Sequence, residues 1–169
     1  MTVNTKPEIH NLVICSNVFI RKDGKYLVIR RSPKKKLAPN IVSPVGGKVL
    51  LGENPYQAAV REAFEETGLK IKNIKLEACI LEIHILENTH ENWLIFHFSS
   101  DYASGEIKNS DEGELLLLTG EEFRQCELWP TMSRIVDHIF NPHDGTVFAS
   151  IKLDQNNQVL SQDINICQT

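Results

Sequence analysis

The segment 54–68 does most to limit what this chain can become. Asn54 is a good helix cap, Pro55 carries the fixed φ that suits a first helical position, and Gly68 supplies a C-terminal stop. A helix over residues 55–67 is therefore bounded on both sides by local chemistry. On a wheel of about 100° per residue, Tyr56, Ala59, Val60, Ala63, Phe64 and Thr67 gather on one side. Glu62, Glu65 and Glu66 gather on the opposite side.

Around this helix the sequence reads mainly as strands. Residues 12–20 are rich in β-branched and apolar types, Asp23-Gly24 is a turn signal, and 26–29 completes a hairpin. Residues 41–45 form a short strand candidate that ends at Gly46-Gly47. Residues 74–86 and 93–99 are two more strands, joined by the polar segment 87–92, and 114–118 and 147–153 are further ones. Residues 130–140 read as a second helix, with Met132, Ile135, Val136 and Ile139 as its apolar stripe. The polar tail from Asp154 is expected to be loosely held. Strands dominate and two helices interrupt them. The pattern predicts an α/β (α+β) fold, a mixed β-sheet flanked by helices, rather than a regular βαβ alternation.

The chain has 169 residues, 41% hydrophobic and 24% charged, which suits one domain over 1–169 with a packed core. A net charge of −4 gives no reason to expect a nucleic acid or an anionic membrane as partner. Residues 1–10 carry no apolar run of a leader, and no stretch approaches the ~20 apolar residues of a membrane span. Cys15, Cys79, Cys126 and Cys167 show no CxxC or zinc-finger spacing and read as free thiols. A cytoplasmic location follows as an expectation. Residues 32–40, with Lys34-Lys35-Lys36 and two prolines, read as an exposed basic loop.

Chemistry concentrates between Gly46 and Leu69. Three carboxylates three and four residues apart repel one another, by roughly a few tenths of a kcal/mol per pair on an isolated helix, and a cation between them removes that cost. Oxygen donors at this density suit a hard ion, and Mg²⁺ is the one matched to phosphate chemistry. Gly46 and Gly47 permit close backbone approach to a metal or a phosphate. Arg61 adjoins the cluster. Glu53, just ahead of the helix, is placed either to hydrogen-bond Arg61 or to join the metal shell.

The spacing is also distinctive. Gly47, five residues, Glu53, seven residues, Arg61-Glu62-Ala63, one residue, Glu65-Glu66, one residue, Gly68-Leu69 resembles the Nudix box at every fixed position over twenty-three residues. On this resemblance the chain is identified as a member of the Nudix family, whose fold is a mixed sheet between helices. The resemblance implies hydrolysis of a nucleoside diphosphate linked to a further group, by water attack at phosphorus, with Mg²⁺ as cofactor and Mn²⁺ as a substitute. It assigns Glu62, Glu65 and Glu66 as metal ligands, the Gly46 carbonyl as another, and Arg61 with Glu53 as the pair that holds the loop against the helix.

Outside the box the chain leans toward the MutT-like 8-oxo-dGTP diphosphatase group. Asp111-Glu112-Gly113-Glu114-Leu115 resembles that group's loop after the second hairpin, where a glutamate binds a further metal or acts as general base. Glu112 is the better match and Glu114 the alternate. The segment 93–98 and Leu128-Trp129 are similar to the same group. Val45 stands where many relatives have proline, an upstream tryptophan is missing, and Pro130-Thr131-Met132 replaces an acidic segment, which leaves the base contacts unassigned.

Arg30, at the end of the hairpin strand with Arg31, and Lys48, after the glycines, are candidate phosphate contacts. His84, His90 and His97 lack metal spacing and read as structural, and Trp93, Phe96 and Trp129 read as core. The expected substrate is a small nucleoside triphosphate, an oxidised purine deoxynucleotide among the options. ADP-ribose, a dinucleoside polyphosphate or a nucleotide sugar is the enzyme alternative. The ADP-ribose group often carries a proline about fifteen residues after the box, where this chain has His84. A non-catalytic sensor module is the remaining alternative, and such modules usually lose box carboxylates that are all present here.

Overall fold

Strand β1 (Leu12–Lys22) is apolar on both sides, and the fold is organised around it. Successive side chains of a strand point to opposite faces. Val18 and Ile20 enter one core with Leu27, Val45, Ala59, Ala63, Leu69 and Phe98, while Phe19 enters the other with Val28, Ile80, Phe123, Ile135 and Ile151. A strand buried on both faces needs helices above and below it. The computed structural model, which describes residues 12–87, 90–108, 111–141 and 145–168, supplies them. The segment 1–10, for which no leader is expected, lies outside the described residues.

The remaining elements are β2 (Lys25–Arg31), β3 (Val42–Ser43), β4 (Val45–Lys48), α1 (Pro55–Thr67), β5 (Leu69–Ile85), β6 (His90–Gly105), β7 (Gly113–Leu118), α2 (Gly120–Arg124), α3 (Met132–Phe140), β8 (Thr146–Leu153) and β9 (Val159–Cys167). The sheet runs β3-β2-β1-β6-β5-β8-β9, with β4 also paired to β1 and β7 to β2. It is mixed, since β1 with β6 and β5 with β8 are parallel and the other pairs antiparallel. Helix α1 covers one face; α2 and α3 cover the other. The predicted α+β architecture is therefore the observed one. Asp23 and Gly24 both have positive φ, as the tight β1–β2 turn requires.

Three expectations need correction. Strands β5 and β6 are longer than the sequence suggests, because β5 starts at Leu69, directly after the Gly68 cap, and three register shifts let it stay paired to β6. The tail beyond Asp154 is not loose. It turns back through Asn157, at positive φ, and pairs as β9 along β8 from Val159 to Cys167. The two sides of α1 also do not divide cleanly into buried and exposed. Tyr56, Val60 and Phe64 are exposed, while Ala58, Ala59, Ala63, Glu66 and Thr67 are buried. The helix packs closely on β4 and β1, where only small side chains fit, so the large apolar residues turn outward. The Ser16 hydroxyl fixes this approach by donating to the Pro55 carbonyl at 2.7 Å.

All four cysteines are free. Among the described residues no helix is long and apolar enough to cross a membrane.

Candidate active site

Helix α1 begins with a full capping box. The Asn54 side chain accepts the Gln57 amide at 2.9 Å, and the Gln57 side chain accepts the Asn54 amide at 3.0 Å. Gly68 ends it at φ 75°. With both ends fixed, the carboxylates between them are set against β4. Glu66 is only 9% exposed, and its Oε2 accepts the Gly46 amide at 3.0 Å. Glu62 lies against Gly47, where an added Cβ would fall 2.7 Å from its Cδ. The two glycines thus let the acidic edge of the helix press through to a cleft on the far side of β4.

That cleft has a volume of about 1190 Å³. Its walls include Gly46, Gly47, Lys48, Glu62, Glu65, Glu66, Arg31 and Glu112 at one end. At the other are Glu82, His84, Trp93, His97, Trp129 and Thr131.

Arg61 sits behind the carboxylates rather than in the cleft and ties them together. Its Nε and Nη2 donate to Glu53 at 2.9 and 3.0 Å, and Nη1 donates to Glu62 and Glu65 at 2.8 Å each. Nη2 also donates to the Lys48 carbonyl at 3.0 Å. Glu53 in turn accepts the Leu50 amide at 3.0 Å. Of the two roles open to Glu53, the structure displays the hydrogen bond to Arg61. Arg61 holds the Glu53 carboxyl below its ordinary range, helped by the Leu50 amide. Burial raises Glu62 despite Arg61 beside it. Burial pushes Glu66 up to about 7; the Gly46 amide opposes this, and the Glu62 and Glu112 charges add to it. The cluster therefore carries negative charge that its own cations do not balance.

The outer residues are sorted by strand alternation. Arg30 does not face the cleft; it pairs with Glu114 at 2.9 Å, so the strand-end arginine in the cleft wall is Arg31. Side chains one apart on β2 take opposite faces, which a reading of Arg30-Arg31 without a register does not resolve. Glu112 lines the cleft and is ion-paired to Lys35 of the basic loop, whereas Glu114 lies outside it. Lys48 points its Nζ at the Trp93 ring, 5.8 Å from the centroid.

Sequence reasoning missed the polar group at the other end. Glu82 is buried, and it accepts from Trp129 Nε1 and Thr131 Oγ1. The available signal was a charged residue inside the apolar alternation from Cys79 to Ile85. Trp93 and Trp129 line the cleft instead of lying wholly in the core; Phe96 packs against the α1-side core. His97 is buried, and burial holds it down to about 4. Its ordinary value in an unfolded chain is near 6.5. Between those values the unfolded chain takes up a proton that the folded chain refuses. Stability from this residue is therefore complete above pH ~6.5 and is lost as the pH falls toward ~4, by an amount on the order of 3 kcal/mol. Urea melts of the wild type and His97→Leu across pH 4–7 should show the variant with the shallower acid slope; equal slopes would refute the assignment.

Gly47→Ala is expected to lower turnover by about a hundredfold, because the new Cβ displaces the Glu62 carboxylate from its place. The thermal midpoint should move only slightly, since the displaced atoms are the free end of a side chain. Gly46→Ala should instead cost folding, because there φ is 155° and the Cβ meets the Ser16 and Asn17 backbone.

Comparison with known proteins adds the family. The NUDIX domain model matches residues 12–150. The chain belongs to the Nudix family. The NAD-capped RNA hydrolase NudC of Haemophilus influenzae is 32% identical over 97 residues, 56% of this chain and 34% of NudC. The chain therefore spans about a third of the length of the NudC relatives it matches. The Nudix hydrolase YvcI of Bacillus subtilis, itself uncharacterized, is 28% identical over 127 residues, covering 72% of this chain and 75% of YvcI. Among solved structures, the mutator MutT protein of Bacillus halodurans superposes with a TM-score of 0.79 at 20% identity, over 90% of this chain and 97% of that one. At that identity the likeness establishes the Nudix fold and leaves the MutT-type substrate open. The expectation that nucleic acid is excluded as a partner loses its support, since relatives at this similarity are named for capped RNA.

Proposed function

We propose that this protein is a Mg²⁺-dependent hydrolase of a phosphoanhydride bond in a nucleoside-diphosphate-type substrate. The observation that carries the reading is the acidic end of the cleft, where Glu62, Glu65, Glu66 and Glu112 meet with Lys48 and Arg31 beside them. Among the described residues, no three histidines, cysteines or carboxylates already form a chelating group. The donor chemistry nevertheless fits a hard divalent cation. The oxygens are carboxylates, Glu66 and Glu62 are destabilised as anions by burial, and Glu65, whose side chain is 56% exposed, is engaged through Arg61. Glu62, Glu65 and Glu66 would hold the ion, with the Gly46 carbonyl and Glu112 completing the set. When bound, Mg²⁺ supplies Lewis-acid neutralisation of the pyrophosphate oxygens.

The chain's own groups do the rest. Arg61 and Glu53 are positioning residues that orient Glu62 and Glu65 from behind. Lys48 and Arg31 meet the substrate's phosphate charge from the cleft walls, in place of Arg30. Glu112, once released from Lys35, is the group placed to take a proton from the attacking water. The preferred substrate is a nucleoside triphosphate, with an oxidised purine deoxynucleotide such as 8-oxo-dGTP among its forms. A second reading is a dinucleotide pyrophosphate of the kind that caps RNA. It is favoured by the NudC relatives and by a cleft larger than the ~300–1,000 Å³ of ordinary small-molecule sites.

The test is a panel of nucleoside triphosphates, oxidised purine nucleotides, ADP-ribose, nucleotide sugars, NAD and NAD-capped RNA with Mg²⁺ and with Mn²⁺, products separated chromatographically. Release of a nucleotide together with pyrophosphate, phosphate, a sugar phosphate, a second nucleotide or 5′-phosphorylated RNA, according to the substrate, is expected from at least one member. No turnover of any member would point instead to a nucleotide-binding module.

A further inference from the structure

The cleft has two chemically different ends, and the second is built from the sheet. Strand register sets Glu82 opposite Trp93, Ile80 opposite Ile95 and Ala78 opposite His97, with Asn17 of β1 beside His97. Alternation then points Glu82, His84, Trp93, Ile95 and His97 to the same face, and these five line the cleft.

Glu82 is 3% exposed. Each of its carboxylate oxygens lies 3.1 Å from Trp129 Nε1; Oε2 accepts Thr131 Oγ1 at 2.5 Å, and Oε1 is 2.6 Å from His84 Nε2. A carboxylate taken out of water is costly unless its oxygens are met, and here they are met from two elements. The partners are His84 of β5 and the segment that leads into α3. The geometry fixes the Trp129 ring at the cleft wall, with the His84 ring centroid 6.0 Å away.

His97 is different. It is 3% exposed and lines the cleft, and its Nδ1 has no hydrogen-bond partner among the described residues. Buried polar atoms are nearly always paired, so an orphan in a cleft wall points to a ligand atom that completes it. A neutral imidazole offers one donor and one acceptor. The edges of the nucleobases differ in where they offer the complement. The ring beside it would rest against an aromatic face, an interaction every base tolerates. One group therefore discriminates and the other does not.

We propose that, at the nucleoside end of the cleft that the hydrolase reading implies, His97 is the specificity-determining residue that hydrogen-bonds the base edge, and Glu82 is the positioning residue that holds Trp129 in the cleft wall. The identity of the opposite end as the phosphate end rests on the hydrolase reading above. A site built to hydrogen-bond its ligand rejects one that leaves its polar group unpaired.

The experiment uses the full chain with Mg²⁺ and compares kcat/KM for ATP, GTP, CTP and UTP. The wild type should spread the four over at least about tenfold. His97→Leu should compress that spread by about tenfold, and His97→Asn, which keeps a polar atom near the Nδ1 position, should restore part of it. A merely structural His97 would lower all four by one common factor, and that result, or a wild type indifferent to the base, overturns the proposal. If His97→Leu does not fold, the comparison is His97→Asn against wild type, where the spread should narrow in part, and a common factor on all four nucleotides again overturns the proposal.

Binding is read without turnover. The chain has two tryptophans, so Trp93→Phe leaves Trp129 as the sole indole reporter. ATP and GTP without metal should quench its emission, and Glu82→Gln in that background should shift the emission and weaken the titration about tenfold. Quenching with base discrimination in a protein that hydrolyses nothing would remove the hydrolase reading and keep the subsite. Hydrolysis with no base discrimination and no response from Trp129 would remove the subsite and keep the hydrolase.

Discussion

Glu65→Gln should lower kcat/KM by roughly two to three orders of magnitude even at saturating Mg²⁺. The substitution keeps the shape of the side chain and removes its charge. Glu65 lines the cleft and accepts from Arg61 Nη1 at 2.8 Å. Its loss should therefore leave the fold intact, since α1 is held by its caps, by Ser16 and by the buried alanines. What is lost is a negative charge at the phosphate end whose side chain is 56% exposed. Glu62 and Glu66 cannot replace it, because both are largely buried, Glu62 packed against Gly47 and Glu66 held by the Gly46 amide. The measurement is steady-state turnover across a Mg²⁺ titration, beside a thermal melt. Near-normal turnover at high Mg²⁺ would mean that Glu65 is not a ligand.

Arg61→Ala should raise the Mg²⁺ concentration for half-maximal activity by about 10–100-fold. One guanidinium joins Glu53, Glu62, Glu65 and the Lys48 carbonyl, so its removal frees both a loop and two candidate ligands at once. Arg61→Lys should recover little, because an ammonium cannot span the same partners in a planar fork. Glu53→Gln should act in the same direction and more weakly, since the Leu50 amide contact is retained with an amide oxygen. If Arg61→Ala lowered kcat at all Mg²⁺ concentrations equally and left the metal requirement unchanged, Arg61 would be acting on the substrate and not through its carboxylates.

The acidic end of the cleft was legible because its residues are local. Glu53, Arg61, Glu62, Glu65 and Glu66 lie within fourteen positions of one another, and a capped helix converts spacing into geometry. Where the reading failed, the missing information was a partner from elsewhere in the chain. The burial of Glu66 and the exposure of Phe64 follow from how closely α1 approaches Gly46 and Gly47 of β4, which the helix sequence does not contain. Arg31 faces the cleft and Arg30 faces Glu114 because β2 pairs with β7 in one register; a shift of one residue would exchange them. The tail became β9 because β8 offers it an open edge.

The base end was silent for the same reason. Glu82 and Trp129 are separated by 47 positions and meet only when the segment before α3 folds onto β5. His97 becomes an orphan only in the sheet that buries it. By itself, then, the sequence determined the strand-rich class, the bounded helix, the carboxylate cluster and the family, all of which depend on spacings of a few residues. Only the tertiary structure decided which face of α1 is buried, which arginine and which glutamate reach the cleft, and that a polar, aromatic end lies across from the acids. Those outcomes depend on strand register and on close packing between distant segments, and neither is written in any local pattern.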